Sequence, residues 1–136
     1  MSCRSALYTV NQTNQTLTPA ADAFTTIPFG NIIRRFGRHI NTDGTGIYIN
    51  DPGYYDVGTV ANVTPAAAGP ITLKMTNNGV DIPGMSVTVT GTADEPLTIP
   101  LRGLIRLYGC NSGGLLTLSI DSEVTILNVS TVVERI

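Results

Sequence analysis

Apolar and polar residues alternate along several segments of this chain, and the alternation predicts β-strands. Val87 and Val89 alternate with Ser and Thr residues, and residues 45–49 and 116–120 repeat the pattern. A period of two places successive side chains on opposite faces of a sheet, whereas an amphipathic helix needs apolar residues three and four positions apart. We therefore expect half-buried strands, each with one face on a core.

Turn-forming residues separate these segments at regular intervals. Residues 77–79 (Asn-Asn-Gly) are a strong hairpin signal, because a type I′ turn needs two residues that tolerate a positive φ. Residues 51–53 (Asp-Pro-Gly) suit a turn in which Pro fixes φ and Gly accepts a positive φ. The main predicted strands span residues 5–10, 45–50, 53–63, 71–77, 84–91, 97–108, 114–121 and 124–135, with shorter strands near 15–18, 32–36 and 80–82.

The number of strands favours an all-β fold, an antiparallel β-sandwich in which two sheets bury each other's apolar faces. Val, Ile and Thr make up about a third of the chain, which fits that class. No repeat, linker or change of composition divides residues 1–136, so we expect a single domain. Residues 1–23 form either an N-terminal arm or the first strand of this domain.

Charge and composition exclude several kinds of partner. Charged residues are only 13% of the chain, about half the usual share, and the net charge is −2. One Lys and a low pI argue against nucleic-acid binding, and no apolar run is long enough to span a membrane. Without an export signal we expect synthesis in a cytoplasm, with Cys3 and Cys110 reduced.

Four stretches point, by their order and spacing, to one family. Residues 24–30 and 47–57 combine a strand, a Pro-Gly turn and a Tyr-Tyr pair, residues 71–84 give a hairpin with an Asn-Gly turn, and residues 130–136 suit a buried closing strand. From about Leu7 onward the chain resembles the complement first-component q-subunit and TNF-like superfamily, in its bacterial or phage branch. Members of that branch which the chain resembles include phage head decoration and head-fibre domains and the heads of collagen-like spore-surface proteins.

The resemblance implies a TNF-like jelly roll of about eight to ten strands that assembles as a homotrimer. The chain has no Gly-X-Y stalk, which argues against a spore filament and favours a bare trimeric head. A separate physical observation agrees with a trimer. Residues 101–108 carry apolar side chains at both odd and even positions, so the outer face of this strand is expected to contact another subunit.

Candidate chemistry is sparse, and we expect neither an enzyme nor a cofactor. His39 is the only histidine, so it would have to supply any histidine base, and nothing in the sequence brings it to Cys110. Some members of the superfamily bind calcium near the trimer axis, and loop carboxylates of Asp43, Asp51 and Asp56 would be the candidate ligands here. Turn formation is the commoner role of such Asp residues.

The chain has one cluster of positive charge, formed by Arg34, Arg35, Arg38 and His39. One interpretation is an attachment patch for an acidic surface, such as a capsid shell or a host glycan. The other is a solvated loop whose arginines form salt bridges between subunits.

These observations favour a structural virion protein, a trimeric capsid decoration or head-fibre domain of a bacteriophage that binds the shell of the major capsid protein. The alternative is a receptor- or glycan-binding trimeric head on a phage tail tip or bacterial surface. In that alternative, residues 62–70 and the turn at 109–114 would contact the ligand.

Overall fold

Twelve strands make up most of the part of the chain that the computed structural model describes, residues 5–21, 23–107 and 114–136. They are β1 (Ala6–Asn11), β2 (Thr16–Leu17), β3 (Thr25–Ile27), β4 (Asn31–Phe36), β5 (Ile40–Thr42), β6 (Ile47–Ile49), β7 (Gly53–Pro65), β8 (Gly69–Asn77), β9 (Val80–Gly91), β10 (Leu97–Leu107), β11 (Gly114–Ile120) and β12 (Val124–Arg135). Within these ranges there is no helix long and apolar enough to cross a membrane.

The strands form two sheets in which every pair is antiparallel. The first sheet has the order β10-β7-β12-β1-β4, with β2 added at one end of β12. The second has the order β5-β6-β11-β8-β9, with β3 paired to β11. The predicted all-β antiparallel sandwich is therefore confirmed.

The core lies between the sheets and is built from the inward positions of the alternating strands. In β7, Tyr55, Val57, Thr59 and Ala61 are buried, while the residues that alternate with them face outward. Leu73 and Leu118 bury their side chains in the same way from the second sheet. A period of two thus fixes one buried face on each sheet.

The observed strands match most of the predicted ones, with differences that have local causes. The pieces expected at 80–82 and 84–91 are one strand, β9, which a register shift lets continue along β8. Strands β3 and β5 are each three residues long and were not predicted. Of residues 1–23, Ala6–Asn11 form β1, which pairs with both β12 and β4 inside the first sheet.

Two turns show the backbone geometry expected from their sequences. In the β8–β9 turn, Asn78 and Gly79 have φ values of 53° and 83°. Gly53 at the start of β7 has φ 143°.

In β12 the alternation of apolar and polar residues changes phase after Ile126. The change coincides with a bulge between Ile126 and Asn128, where β12 changes register against β7.

Candidate assembly and attachment surfaces

The first sheet has an outer face on which apolar and small residues predominate. One row across the sheet consists of Arg102, Gly58, Val132, Tyr8 and Arg34, and the next consists of Pro100, Val60, Ser130, Val10 and Asn31. Val132 is 45% exposed, although its strand is paired on both sides. We call Tyr8, Val10, Gly58, Val60, Pro100 and Val132 the outer face.

A shallow hollow of about 420 Å³ lies in this face between β10 and β12. It lies at Gly58, which has no side chain to fill it, and Val60, Pro100 and Val132 form much of its wall. The hollow is therefore a mainly apolar concavity that is open to solvent in the single chain.

An ion pair borders the hollow. The Arg102 guanidinium donates two hydrogen bonds to Asp56, Nε to Oδ1 at 3.2 Å and Nη2 to Oδ2 at 2.8 Å. The hydrogen bond to Asp56 is the main cause of the raised pKa of Arg102. The planar, two-pronged contact fixes the orientation of Arg102 across the strands.

The edge of the sandwich formed by β9 and β10 exposes apolar residues beside the polar Asn77, Asp81 and Arg106. Val80 is 68% exposed and Leu104 is 61% exposed. Together with Ile82, Pro83 and Ile105 they line a second hollow of about 430 Å³. We call these five residues the β9–β10 edge; Leu104 lies in the segment whose mixed apolar pattern predicted a subunit contact.

The predicted positive cluster lies on the opposite edge of the first sheet. Arg34 and Arg35 are in β4 rather than in a loop, Arg38 is in the turn that follows, and His39 directly precedes β5. The Nδ1 atom of His39 is 3.3 Å from Oδ1 of Asn50. Arg34 and Arg35 lie in the short strand predicted near residues 32–36, which pairs with β1 as an edge strand, so the solvated-loop interpretation does not apply to these two residues.

The arginines of this cluster differ from the others in their environment. Arg102 and Arg135 each pair with an aspartate, whereas Arg34, Arg35 and Arg38 have no carboxylate within 4.0 Å among the residues that the structure describes. All six residues of β4 are exposed. Within the described residues, the arginines of the cluster are therefore exposed and form no ion pair.

The three aspartates considered as calcium ligands lie at separate positions with separate partners. Asp56 pairs with Arg102, and Asp51 forms an ion pair with Arg135. Asp43 accepts hydrogen bonds from the N–H groups of Thr45 and Gly46 and from the Tyr48 hydroxyl, each at 2.9 Å. Across the described ranges, no three His, Cys, Asp or Glu side chains converge on one point.

The hydrogen bonds to Asp43 change its acidity and that of its partner. The N–H groups of Gly46 and Thr45, followed by the Tyr48 hydroxyl, lower the pKa of the Asp43 carboxyl. The same contact raises the pKa of Tyr48. These shifts indicate a stabilised turn between β5 and β6.

Several predicted features lie outside the described residues. They include Cys3, Cys110 and residues 109–113 of the proposed ligand-contacting turn. Residues 66–68 of the other proposed loop are exposed alanines, and the hollow beside them is lined by Pro70, Ile71, Ser122 and Glu123 among others.

Comparisons with known proteins identify the fold. No family model matches the sequence, and no curated protein matches it. Among solved structures, murine APRIL superposes with a TM-score of 0.72 at 14% identity, over 98% of this chain and 99% of that chain. The globular domain of the zebrafish complement 1qA protein gives 0.69 at 9% identity, over 98% and 96%. PRD1 vertex protein P5 gives 0.64 at 17% identity, over 96% and 72%.

The chain has a TNF-like jelly-roll fold. The resemblance seen in the sequence is confirmed at the level of the fold, since the structural neighbours include both TNF-like and complement domains.

The outer face could not be predicted from the sequence as one continuous surface. Its members come from β1, β7, β10 and β12, which are distant in the chain and adjacent only through strand register. The one available signal was the mixed apolar pattern of residues 101–108, which marked β10 alone.

Proposed function

We propose that this domain is a structural protein of a phage virion, a homotrimeric capsid decoration or head-fibre domain. The observation that carries the proposal is the exposed apolar outer face of the first sheet. A two-sheet sandwich buries one face of each sheet by itself. A further apolar face, with Val132 and Val60 partly exposed, is stable in water when other subunits cover it.

Two different apolar surfaces favour a ring. If the β9–β10 edge of one subunit packs on the outer face of the next, the contact joins unlike patches and is heterologous. Such contacts close only as a ring of three or more subunits, and the TNF-like resemblance of the sequence implies three. The trimer would cover Leu104 and Val80 on one side of each contact and Val132 on the other.

A virion role is supported by the fold similarity to the PRD1 vertex protein P5. The unpaired arginines of β4 and the following turn supply a candidate surface for attachment to the major capsid protein shell. Attachment would be electrostatic in part, because Arg34, Arg35 and Arg38 meet no carboxylate in the described part of their own chain.

Light scattering at micromolar concentration tests the assembly. We expect a mass three times the 14.4 kDa of one chain. Val132→Arg should give monomers, because it buries a charge at the proposed contact. Thr88→Arg, on the exposed face of the second sheet, is the matched control and should remain trimeric. A 14.4 kDa species for the unmodified chain would contradict the proposal.

Co-sedimentation with empty shells of the major capsid protein tests the attachment. We expect the trimer to pellet with shells, and the double variant Arg35→Ala/Arg38→Ala to remain in the supernatant as an intact trimer. If the double variant still binds shells, these arginines have no role in attachment. If the unmodified trimer binds no shells, the decoration role is wrong.

A further inference from the structure

Strand β4 differs from the other long strands of the sandwich in that none of its residues is buried. All of its side chains are exposed, and among the apolar ones Ile32, Ile33 and Phe36 are 41%, 52% and 66% exposed. Within the described residues β4 pairs with β1 along one edge only, so the backbone groups of its other edge face outward. Such an edge is a template for a further strand.

Natural edge strands are usually protected against pairing by charge, by bulges or by short length. β4 has a bulge, because Arg34 lies opposite Tyr8 while Ile32 lies opposite Thr9, which leaves Ile33 without a partner. It also exposes three large apolar side chains, Ile32, Ile33 and Phe36, and protection of an edge does not require these. The strand therefore combines an open backbone edge with apolar surface and positive charge.

The register places the two arginines of β4 on opposite faces. Arg34 lies opposite the half-exposed Tyr8 on the outer side, and Arg35 lies opposite the buried Leu7 on the side of the second sheet. A strand added beside them would meet positive charge at two adjacent positions, one on each face. Carboxylates at two adjacent positions of that strand would satisfy both.

We propose that β4 binds an extended acidic segment of the shell protein by strand addition, with two adjacent carboxylates opposite Arg34 and Arg35. This rests on the proposed virion role for the identity of the partner. A second copy of β4 is a poorer occupant, because antiparallel pairing of two such strands would bring arginines close to arginines. Backbone pairing would supply affinity, and the carboxylates would set the register.

Fluorescence anisotropy with a dye-labelled peptide of about seven residues tests the binding. The peptide contains Val and Thr with two adjacent central Glu residues. We expect saturable binding, loss of binding when the two Glu are replaced by Lys, and weakening as salt rises. Absence of saturable binding by the Glu peptide would overturn the proposal.

Two N-methylated versions of the peptide separate strand addition from simple charge attraction. Each blocks the N–H groups along one edge of the peptide. We expect one version to lose binding and the other to keep it, because only one edge pairs with β4. Equal binding by both would contradict strand addition.

Protein variants locate the site. Arg34→Glu/Arg35→Glu should weaken binding of the Glu peptide by about tenfold or more and restore binding of the Lys peptide. Arg106→Glu, at the opposite edge of the same sheet, is the control and should change neither. If Arg106→Glu has the effect instead, β4 is not the site.

Light scattering and hydrogen exchange on the same samples distinguish the two proposals. If the protein is a trimer but binds no peptide, strand addition is overturned and the proposed trimer is not contradicted. A monomer that binds the peptide at β4 supports strand addition and contradicts the trimer. If the β4 amides that do not bond to β1 are already protected in the peptide-free trimer, a neighbouring subunit covers the edge, which also overturns the proposal.

Discussion

Three buried threonines lie side by side in the core face of the first sheet. Thr9 is opposite Thr131 on β12, which is opposite Thr59 on β7. The Thr59 hydroxyl donates to the Ser130 carbonyl at 3.1 Å and lies 2.8 Å from the Thr131 hydroxyl, so Thr131 donates to Thr59. The Thr9 hydroxyl has no partner in the structure.

Thr9→Val should stabilise the protein by about 1 kcal/mol, because Val has the same shape and removes a buried hydroxyl that forms no hydrogen bond. Thr131→Val should destabilise it by a similar amount, because it removes a buried hydrogen bond. Urea unfolding of the two variants measures the difference. A loss of stability in Thr9→Val equal to that in Thr131→Val would show that Thr9 has a partner.

The turn at Asp43 predicts a pH dependence. Its pKa is lowered in the folded protein, chiefly by the N–H groups of Gly46 and Thr45. The resulting stabilisation is therefore complete above the ordinary Asp pKa and is lost as pH falls through the lowered value, below about pH 4. Asp43→Asn should make the melting temperature depend less on pH in this range. Glu95→Gln, at another exposed turn, should leave the pH dependence unchanged. If the melting temperature of Asp43→Asn falls with decreasing pH as steeply as that of the unmodified protein, this account is contradicted.

At the scale of strands, Gly30 allows β1 and the start of β4 to cross closely. Its φ is +91°, and a Cβ there would lie 2.3 Å from the carbonyl oxygen of Val10. Gly84 in β9 has a similar φ of +81° with open space around it. Substitutions at these two glycines can therefore be compared to separate the cost of backbone strain from the cost of steric overlap.

Gly30→Ala should destabilise the protein by at least about 3 kcal/mol, because it adds a clash with backbone to the strain of a positive φ. Gly84→Ala should cost about 1 kcal/mol, from strain alone. Chemical denaturation of both variants gives the comparison. Equal losses would show that the crossing of β1 and β4 relaxes to admit a methyl group.

The long strands were predictable because each alternates over many residues. Strand β12 was expected at 124–135 and spans Val124–Arg135, and even its bulge left a phase change in the sequence. Strands β3 and β5 were not, since their three residues show no period. The pairing of β3 with β11 also depends on a contact distant in the chain, whereas β5 pairs locally with β6.

The candidate surfaces were predictable only where they are local. The arginines of β4 are neighbours in sequence, so the cluster was visible, but its place on a free edge follows from pairing with β1. The outer face combines Tyr8, Val60, Pro100 and Val132 through the register of four strands. No pattern along the chain encodes that register by itself.

For the whole molecule, the low charge content can be related to where the charged residues lie on the first sheet. Charged residues are 13% of the chain, and in the row that contains Val132 they occupy only the two ends, while Asp56 and Glu134 lie in the neighbouring row. Arg102 lies on β10 and Arg34 on β4, the two edge strands, whereas Gly58, Val132 and Tyr8 occupy the centre of the same row. An apolar centre with a polar rim is the arrangement found in protein–protein interfaces.

The Asp56–Arg102 pair gives a test that separates assembly from folding. The Arg102 side chain is 77% exposed in the single chain, so the pair contributes little to its stability there. If the trimer forms through the outer face, the pair loses water, and removing one partner leaves an uncompensated charge in the contact. Asp56→Ala should therefore weaken the trimer by about tenfold or more while the unfolding of dilute monomer changes little.

Sedimentation velocity over a concentration series measures the trimer, and circular dichroism at the lowest concentration measures the fold. The double variant Asp56→Ala/Arg102→Ala should recover part of the lost assembly, because it removes the charge that the single variant leaves unpaired. Recovery is specific to a contact that excludes water, since an exposed pair would show little coupling. Equal trimer dissociation in the single variant and the unmodified chain would place the subunit contact elsewhere on the sandwich.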